Sequence, residues 1–420
     1  MASTMQMNVD SATSLSWIKH DAKPLGAKPE NFPGAKSGHS MTVIGTNCYI
    51  FGGLNGADID DPEDIDGDVQ ASNNIFRLKL GSGGMEWIRV NPRGDGPVPL
   101  PRWQHSATLY EGTQLIVFGG FHTHEQRLND VWIFDAVSMG WKQPNPQHNT
   151  EAIVPNQLTM ASWPNVPTPR AAHSATLVGE NMYVFGGYGG LGYSRRDLDD
   201  LYVLNLGNWA WTKLTAKGTA PEKRSGHQAC TIESKVFVFG GMSATSRFND
   251  MFVLDVEMDP PVWSKVNNSL TMSTWNHTAC SVIAIPTWKI FTFGGNTSSN
   301  SEADGKLGQL DNSIAIYDAA TGRWSSPMIE GKPPCPRCDT CLAYDAKGAR
   351  LFIFGGWSEY WHGDLYSLDV GDIVGPPYAI TDISPKMGPI TGGTDVTIVG
   401  IDFVNTTDVV VRFGSKKSCM

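Results

Sequence analysis

Cysteine is scarce in this chain. Seven residues in 420, at Cys48, Cys230, Cys280, Cys335, Cys338, Cys341 and Cys419, are too few and odd in number for a disulfide framework, and they suit a reducing compartment. Basic charge is in deficit as well, with 32 Lys and Arg against 42 Asp and Glu and a formal net charge of -10. Binding to a phosphate backbone needs the opposite balance, which argues against nucleic acid as the main partner. No apolar run reaches the roughly 18 residues of a membrane helix. The opening stretch MASTMQMNVDSATSLSWIKH has neither the basic start nor the apolar core of an export signal. The expectation is a soluble cytoplasmic protein with no membrane partner.

Glycine and proline are plentiful, at 45 and 26 residues, and they cluster between short apolar runs, as turns between strands do. The segment LIVFGGFHTHEQRLNDVWIFD looks at first like a phosphate loop. Its glycine pair, Gly119 and Gly120, is followed by Phe121-His122-Thr123-His124, where such a loop would need a Lys-Ser/Thr pair or wider glycine spacing. Phe-Gly-Gly also recurs, at Phe51, Phe118, Phe185, Phe239, Phe293 and Phe354. Recurrence at an uneven period means loops of variable length on a fixed frame.

Each pair is preceded by a strand-like segment that carries a histidine: KSGHSMTVI, RWQHSATLY, RAAHSATLV, RSGHQACTI and TWNHTACSVI. The sixth, RCDTCLAYD, has Thr340 where the others have His. After each pair comes an alternating run led by Asn, Asp or Gly, such as NDVWIFD or GDLYSLD, and five units then add a tryptophan, at Trp87, Trp141, Trp211, Trp263 and Trp324. Every unit therefore reads as four short strands that cannot bury their faces alone, and a radial stack of six blades is the expected solution. Unit six lacks a tryptophan strand. The missing piece stands at the other end of the chain as SLSWIKH around Trp17, and the expectation is that it completes the last blade and covers an open edge.

These motifs resemble kelch repeats, marked by Gly-Gly after an apolar strand and by spaced aromatics downstream. The expected fold is all-β: residues 1–14 an N-terminal tail, 15–374 a six-bladed kelch propeller closed by its N-terminal strand, and 375–420 a partial immunoglobulin-like segment. That last segment, with ISPKMGPITGGTDVTIVGIDF, resembles the opening of an IPT/TIG domain. About half of such a sandwich is present before Met420, and the expectation is a chain that continues in a longer protein.

Several constellations invite chemistry. The histidines at His39, His105, His173, His227 and His277 would ring a central channel without converging on one metal ion, each expected to bond backbone near its own blade's inner strand. CPRCDTC offers zinc-like thiol spacing, but no second Cys/His pair follows at the usual distance; packed thiols are expected. DIDDPEDIDGD holds seven acidic residues, yet alignment on Gly67 puts Pro62 and Asn73 where a calcium loop needs Asp and Glu. Its Asp60, Asp61, Asp64 and Asp66 are candidates for docking a basic partner. Trp163, in the long proline-rich connection 142–169, joins Arg195, Arg196, Trp357, Tyr360 and Trp361 as further candidate partner-binding residues, being residue types enriched at interface hot spots.

The kelch resemblance implies a non-catalytic scaffold that binds other proteins of a multi-subunit assembly, with cytoskeletal or ciliary/axonemal settings. No catalytic residue, cofactor, metal or small-molecule substrate is expected. The alternative is a copper-radical oxidase similar to galactose oxidase, which also joins a kelch propeller to an immunoglobulin-like domain. That copper site uses a Tyr-His neighbour pair, and the nearest approach in this chain is Trp361-His362. The IPT/TIG resemblance also raises a transcription factor, against which the acidic balance argues.

Overall fold

Alternating apolar residues of five- to nine-residue runs form the strands, and Gly-rich turns fold them back on one another. A computed structural model describes residues 15–56, 70–81, 84–94, 96–144, 165–190, 194–267, 277–283, 288–297, 309–374, 379–384, 397–401, 410–413 and 416–419. Six antiparallel sheets follow one another as blades. In the first, the order from the centre outward is Ser40–Ile44, Asn47–Phe51, Ile75–Lys79 and Glu86–Val90. Blades two to five repeat it from Ser106–Tyr110, Ser174–Val178, Gln228–Ile232 and Thr278–Ile283 outward.

The sixth blade takes three strands from the far end of the chain, Cys341–Asp345, Arg350–Phe354 and Leu365–Asp369, and its fourth from Leu15–His20. Trp17 pairs with Leu368 and His20 with Leu365 in antiparallel register, as the sequence leads one to expect. The ring is thereby closed by hydrogen bonds between its two ends. Three outer edges carry a further short parallel strand: Lys23–Pro24 on blade one, Lys217–Gly218 on blade four and Ile329–Glu330 on blade six. After the last blade strand, Gly371–Val374 forms one helical turn, and Ala379–Ser384 with Thr397–Ile401 and Val410–Phe413 with Lys416–Cys419 form two strand pairs. Among the described residues no helix is long and apolar enough to cross a membrane.

The blades are held to one another by one aromatic contact repeated around the wheel. The Phe of each Phe-Gly-Gly meets the outer-strand Trp of the following blade: Phe51 with Trp141, Phe118 with Trp211, Phe185 with Trp263, Phe239 with Trp324, Phe293 with Trp17 and Phe354 with Trp87, at centroid separations of 4.8 to 5.8 Å. Such pairs contribute about 0.5–1.5 kcal/mol each beyond area burial. The same Phe touches the following blade's histidine wherever one exists, from Phe51 against His105 to Phe354 against His39. Trp17 thus serves blade six as the other tryptophans serve theirs.

Candidate functional site

An antiparallel meander sends its connections to opposite ends. Tight hairpins between inner and second strands and between third and outer strands occupy one face. The longer connections, from second to third strand and from one blade to the next, occupy the other, and the described residues 194–197 and 357–363 of the loops singled out in the sequence lie there. What positions that face is the glycine pair. Its first member has φ from +61° to +70° and its second from +91° to +105° in all six units, values that L side chains rarely adopt. Close packing adds to the constraint: a Cβ on Gly119 would lie 2.8 Å from the Arg170 carbonyl of the next blade, and one on Gly120 2.8 Å from the His105 Cβ of its own.

Beneath the loops, four units hold a buried ion pair. Arg102, Arg170, Arg224 and Arg337 have fully buried side chains that pair with Asp130, Asp200, Asp250 and Asp364 at 2.5 to 2.8 Å. The guanidinium is also satisfied by backbone: Arg170 donates from Nη1 to the Gly186 carbonyl at 2.9 Å and from Nε to the Thr168 carbonyl at 3.1 Å. Burial alone would raise the Asp130 carboxyl, but Arg102 and the Trp132 indole overcome it and hold the group below the usual carboxylate range. The remaining units lack both partners together. Unit one has Lys36 and Asn74 at these positions, and unit five has Thr274 and Ser313.

The central channel encloses about 250 Å³ and is lined by all five histidines of the repeat. Their hydrogen bonding differs from the expected backbone contact. His105, His173 and His227 each set Nε2 against a serine hydroxyl of the preceding blade, Ser40, Ser106 and Ser174, at 2.9 to 3.0 Å. The reason is the seam, since each ring also packs against the Phe of the preceding blade's glycine pair, which turns Nε2 toward that blade. His39 and His277 follow blades with Cys341 and Gln228 at the serine position, and among the described residues no serine hydroxyl reaches either ring. Burial lowers the basicity of all five, to about 3 for His39, His173 and His277. Around the mouth, amide donors pass from blade to blade: Gly38 to the Asp339 carbonyl, Gln104 to Gly38, Ala172 to Gln104 and Gly226 to Ala172, at 2.7 to 2.9 Å.

Buried Cys48 and Cys230 pack as small apolar groups, while buried Cys338 sets its Sγ 3.9 Å from the Asp339 carboxylate. Burial raises the Cys48, Cys230 and Cys338 thiols, Cys230 to about 12, while Cys335 is exposed. Among the described residues no group of three His, Cys, Asp or Glu is placed to hold a metal ion. His362 sets its Nε2 2.9 Å from the Ser358 hydroxyl.

Asp60, Asp61, Asp64, Asp66 and Trp163 lie outside the described residues. Trp357, Tyr360 and Trp361 share one loop. Tyr360 is 42% exposed, whereas half-buried Trp361 donates its indole N–H to Ser37 Oγ at 3.1 Å and covers Gly56, across the seam between blades six and one. Arg196 is exposed, and Arg195 is half-buried with Nη2 on the Glu125 carbonyl of blade two at 2.9 Å. Sequence reasoning missed Arg127, which lies beside Arg195. The signal was a basic residue three positions ahead of Asp130, a place where unit four also has an arginine, Arg247, but unit three has Asp197 and unit six Trp361.

Residues 156–304 match the family described as the KLHDC2/KLHL20/DRC7 Kelch-repeats domain, and residues 377–420 match the IPT/TIG domain. The flagellar outer arm dynein alpha chain of Chlamydomonas reinhardtii is 31% identical over 398 residues, 91% of this chain but 8% of that protein. Human host cell factor 2 is 27% identical over 346 residues, 75% of this chain and 38% of its own length. Kelch domain-containing protein 3 of Bos taurus is 26% identical over 366 residues, 83% and 84% of the two chains.

Proposed function

Because this chain is a kelch-repeat protein with IPT/TIG sequence at its C-terminal end, we infer that it is a non-catalytic scaffold that docks other proteins of a larger assembly. The observation that carries this reading is the use of the repeat's polar side chains. Four buried arginines hold aspartates of their own blades, and three histidines hold serines of the preceding blade. Side chains so engaged build a rigid frame, and rigid frames with long loops on one face are what protein docking requires. In this reading residues 15–374 are the docking body and 375–420 belong to an appended module.

The setting we propose is cytoplasmic and cytoskeletal, the axoneme in particular. Support comes from the extent of the likeness to a flagellar outer arm chain, which runs over 91% of this one. The activity of that much longer protein is not carried over by a match to 8% of it. Cross-linking of the native complex with identification of neighbours tests the proposal. Links should concentrate in residues 54–72, 142–169, 188–197 and 357–363; links confined to the outer blade edges would overturn the loop-face reading. Stoichiometric copper in purified protein would restore the oxidase alternative.

A further inference from the structure

On the loop face, two arginines meet with no carboxylate at ion-pair distance among the described residues. Arg127 opens the third strand of blade two and is 7% exposed. Its guanidinium lies 4.9 Å from the Phe121 ring of its own blade and 4.7 Å from the Tyr188 ring of blade three. Among the described residues its side chain makes a single hydrogen bond, from Nη1 to the Glu125 carbonyl at 3.3 Å. Arg195 brings Nη2 to that same carbonyl at 2.9 Å. Two cations therefore share one neutral acceptor, and among the described residues the Nε of each is buried without a partner.

The contrast with the repeat's own arginines is direct. Arg102, Arg170, Arg224 and Arg337 each hold a carboxylate; among the described residues, neither Arg127 nor Arg195 has one within ion-pair distance. Burial and the neighbouring Arg195 both weaken the hold of Arg127 on its proton. An incoming anion would relieve this repulsion and accept from Nη2 of Arg127 and Nη1 of Arg195, which have no partner among the described residues. In a chain of net charge -10 guanidinium groups that hold no carboxylate give an acidic partner a favoured point of approach. Aromatic surface adjoins it, with Trp103 stacked on Phe121 at 5.0 Å.

We propose that the Arg127–Arg195 pair, with exposed Arg196 beside it, is the docking point for an acidic segment of a protein partner, which places Asp or Glu side-chain carboxylates between the loops of blades two and three. The proposal rests on the loop-face reading and narrows it to one partner chemistry. Fluorescence anisotropy of a fluorescein-labelled octaglutamate peptide, titrated with the full chain at low ionic strength, provides the test. Arg195→Ala should weaken binding about tenfold, and Arg127→Lys should weaken it too, because a lysine keeps the charge and loses the fork. Arg93→Ala, an exposed cation elsewhere, should change it by less than about twofold. Thermal melts establish that each variant is folded.

Absence of peptide binding, an unchanged affinity in Arg195→Ala, or an equal loss in Arg93→Ala would overturn the proposal. So would displacement of the peptide by a single-stranded oligonucleotide of equal charge at equal concentration, since the site would then read any polyanion. The two readings fail separately. Cross-links on the loop face with no peptide binding defeat the acidic-partner assignment alone, whereas cross-links confined to blade edges defeat the face itself.

Discussion

Units two, three and four carry a complete set of Arg, His and Asp, while units one, five and six are reduced in different ways. Unit six keeps Arg337 and Asp364 but has Thr340 for the histidine, and Thr340 turns its hydroxyl to the Phe354 carbonyl of its own blade. Units one and five keep the histidine and have neither the arginine nor the aspartate. The arginine and aspartate are thus present or absent together, and the histidine varies independently of them. That division follows from the energetics. One half of a buried ion pair left without the other is an uncompensated charge, whereas a neutral imidazole can be exchanged for a hydroxyl with little electrostatic consequence.

The sharpest way to break the comparison is to leave a complete unit half complete. Arg170→Ala strands Asp200 and the Gly186 carbonyl, both of which Arg170 now satisfies. The expected cost is about 3–5 kcal/mol. The paired change Arg170→Met with Asp200→Leu removes both charges and should cost clearly less, although the Gly186 carbonyl still loses its donor. Urea unfolding monitored by tryptophan fluorescence measures both. Equal losses in the two variants would mean that packing, not charge completeness, is what unites the pair.

The histidine is sharpened by acid. Its pKa in the folded chain is depressed, to about 3 for His39, so the unfolded chain binds the proton more readily. Stability from the neutral ring is fully present above about pH 6.5 and is lost as pH falls below it. At pH 5 the loss for one such group is about 2 kcal/mol. Replacing His39 with the residue unit six uses, His39→Thr, should shrink the difference in unfolding free energy between pH 8 and pH 5 by about that amount. An unchanged difference would mean that the imidazole is solvated in the fold.

The frame was legible because it is written six times. A Phe before each glycine pair and a Trp after each alternating run could be matched to a blade contact without knowing which blade supplied which ring, and Trp17 could be assigned to blade six simply because that unit lacked one. Partners that cross between blades were not legible in the same way. His105 and Ser106 are adjacent in sequence, yet His105 bonds Ser40 and Ser106 receives His173, a choice set by the direction of the stack and not by spacing along the unit. Arg127 escaped notice for a related reason. Its surroundings come from Tyr188 and Arg195 on a loop of the next blade, and loops are the part of the repeat that does not repeat.

The smallest expected effect tests whether a reduced unit can be completed. Lys36 is 1% exposed, with Nζ 3.3 Å from both the Gly52 carbonyl and Asn55 Oδ1, and burial lowers its pKa to about 7. A lysine can meet such burial by shedding its proton; an arginine cannot. Lys36→Arg alone should therefore destabilise blade one, because its permanent charge would face Asn74, whereas Asn74→Asp alone sets its carboxylate against Arg89, which now donates to Asn74 Oδ1 at 2.7 Å, and should cost little. Together they recreate the arrangement of units two, three, four and six. The double variant should be more stable than the sum of the single changes predicts by about 1 kcal/mol, read from urea midpoints at pH 7. It should also lose the decline in stability between about pH 10 and pH 7 that a lysine with a depressed pKa imposes. Strict additivity, with the decline intact, would show that the position beneath the first glycine pair is not equivalent to its counterparts after all.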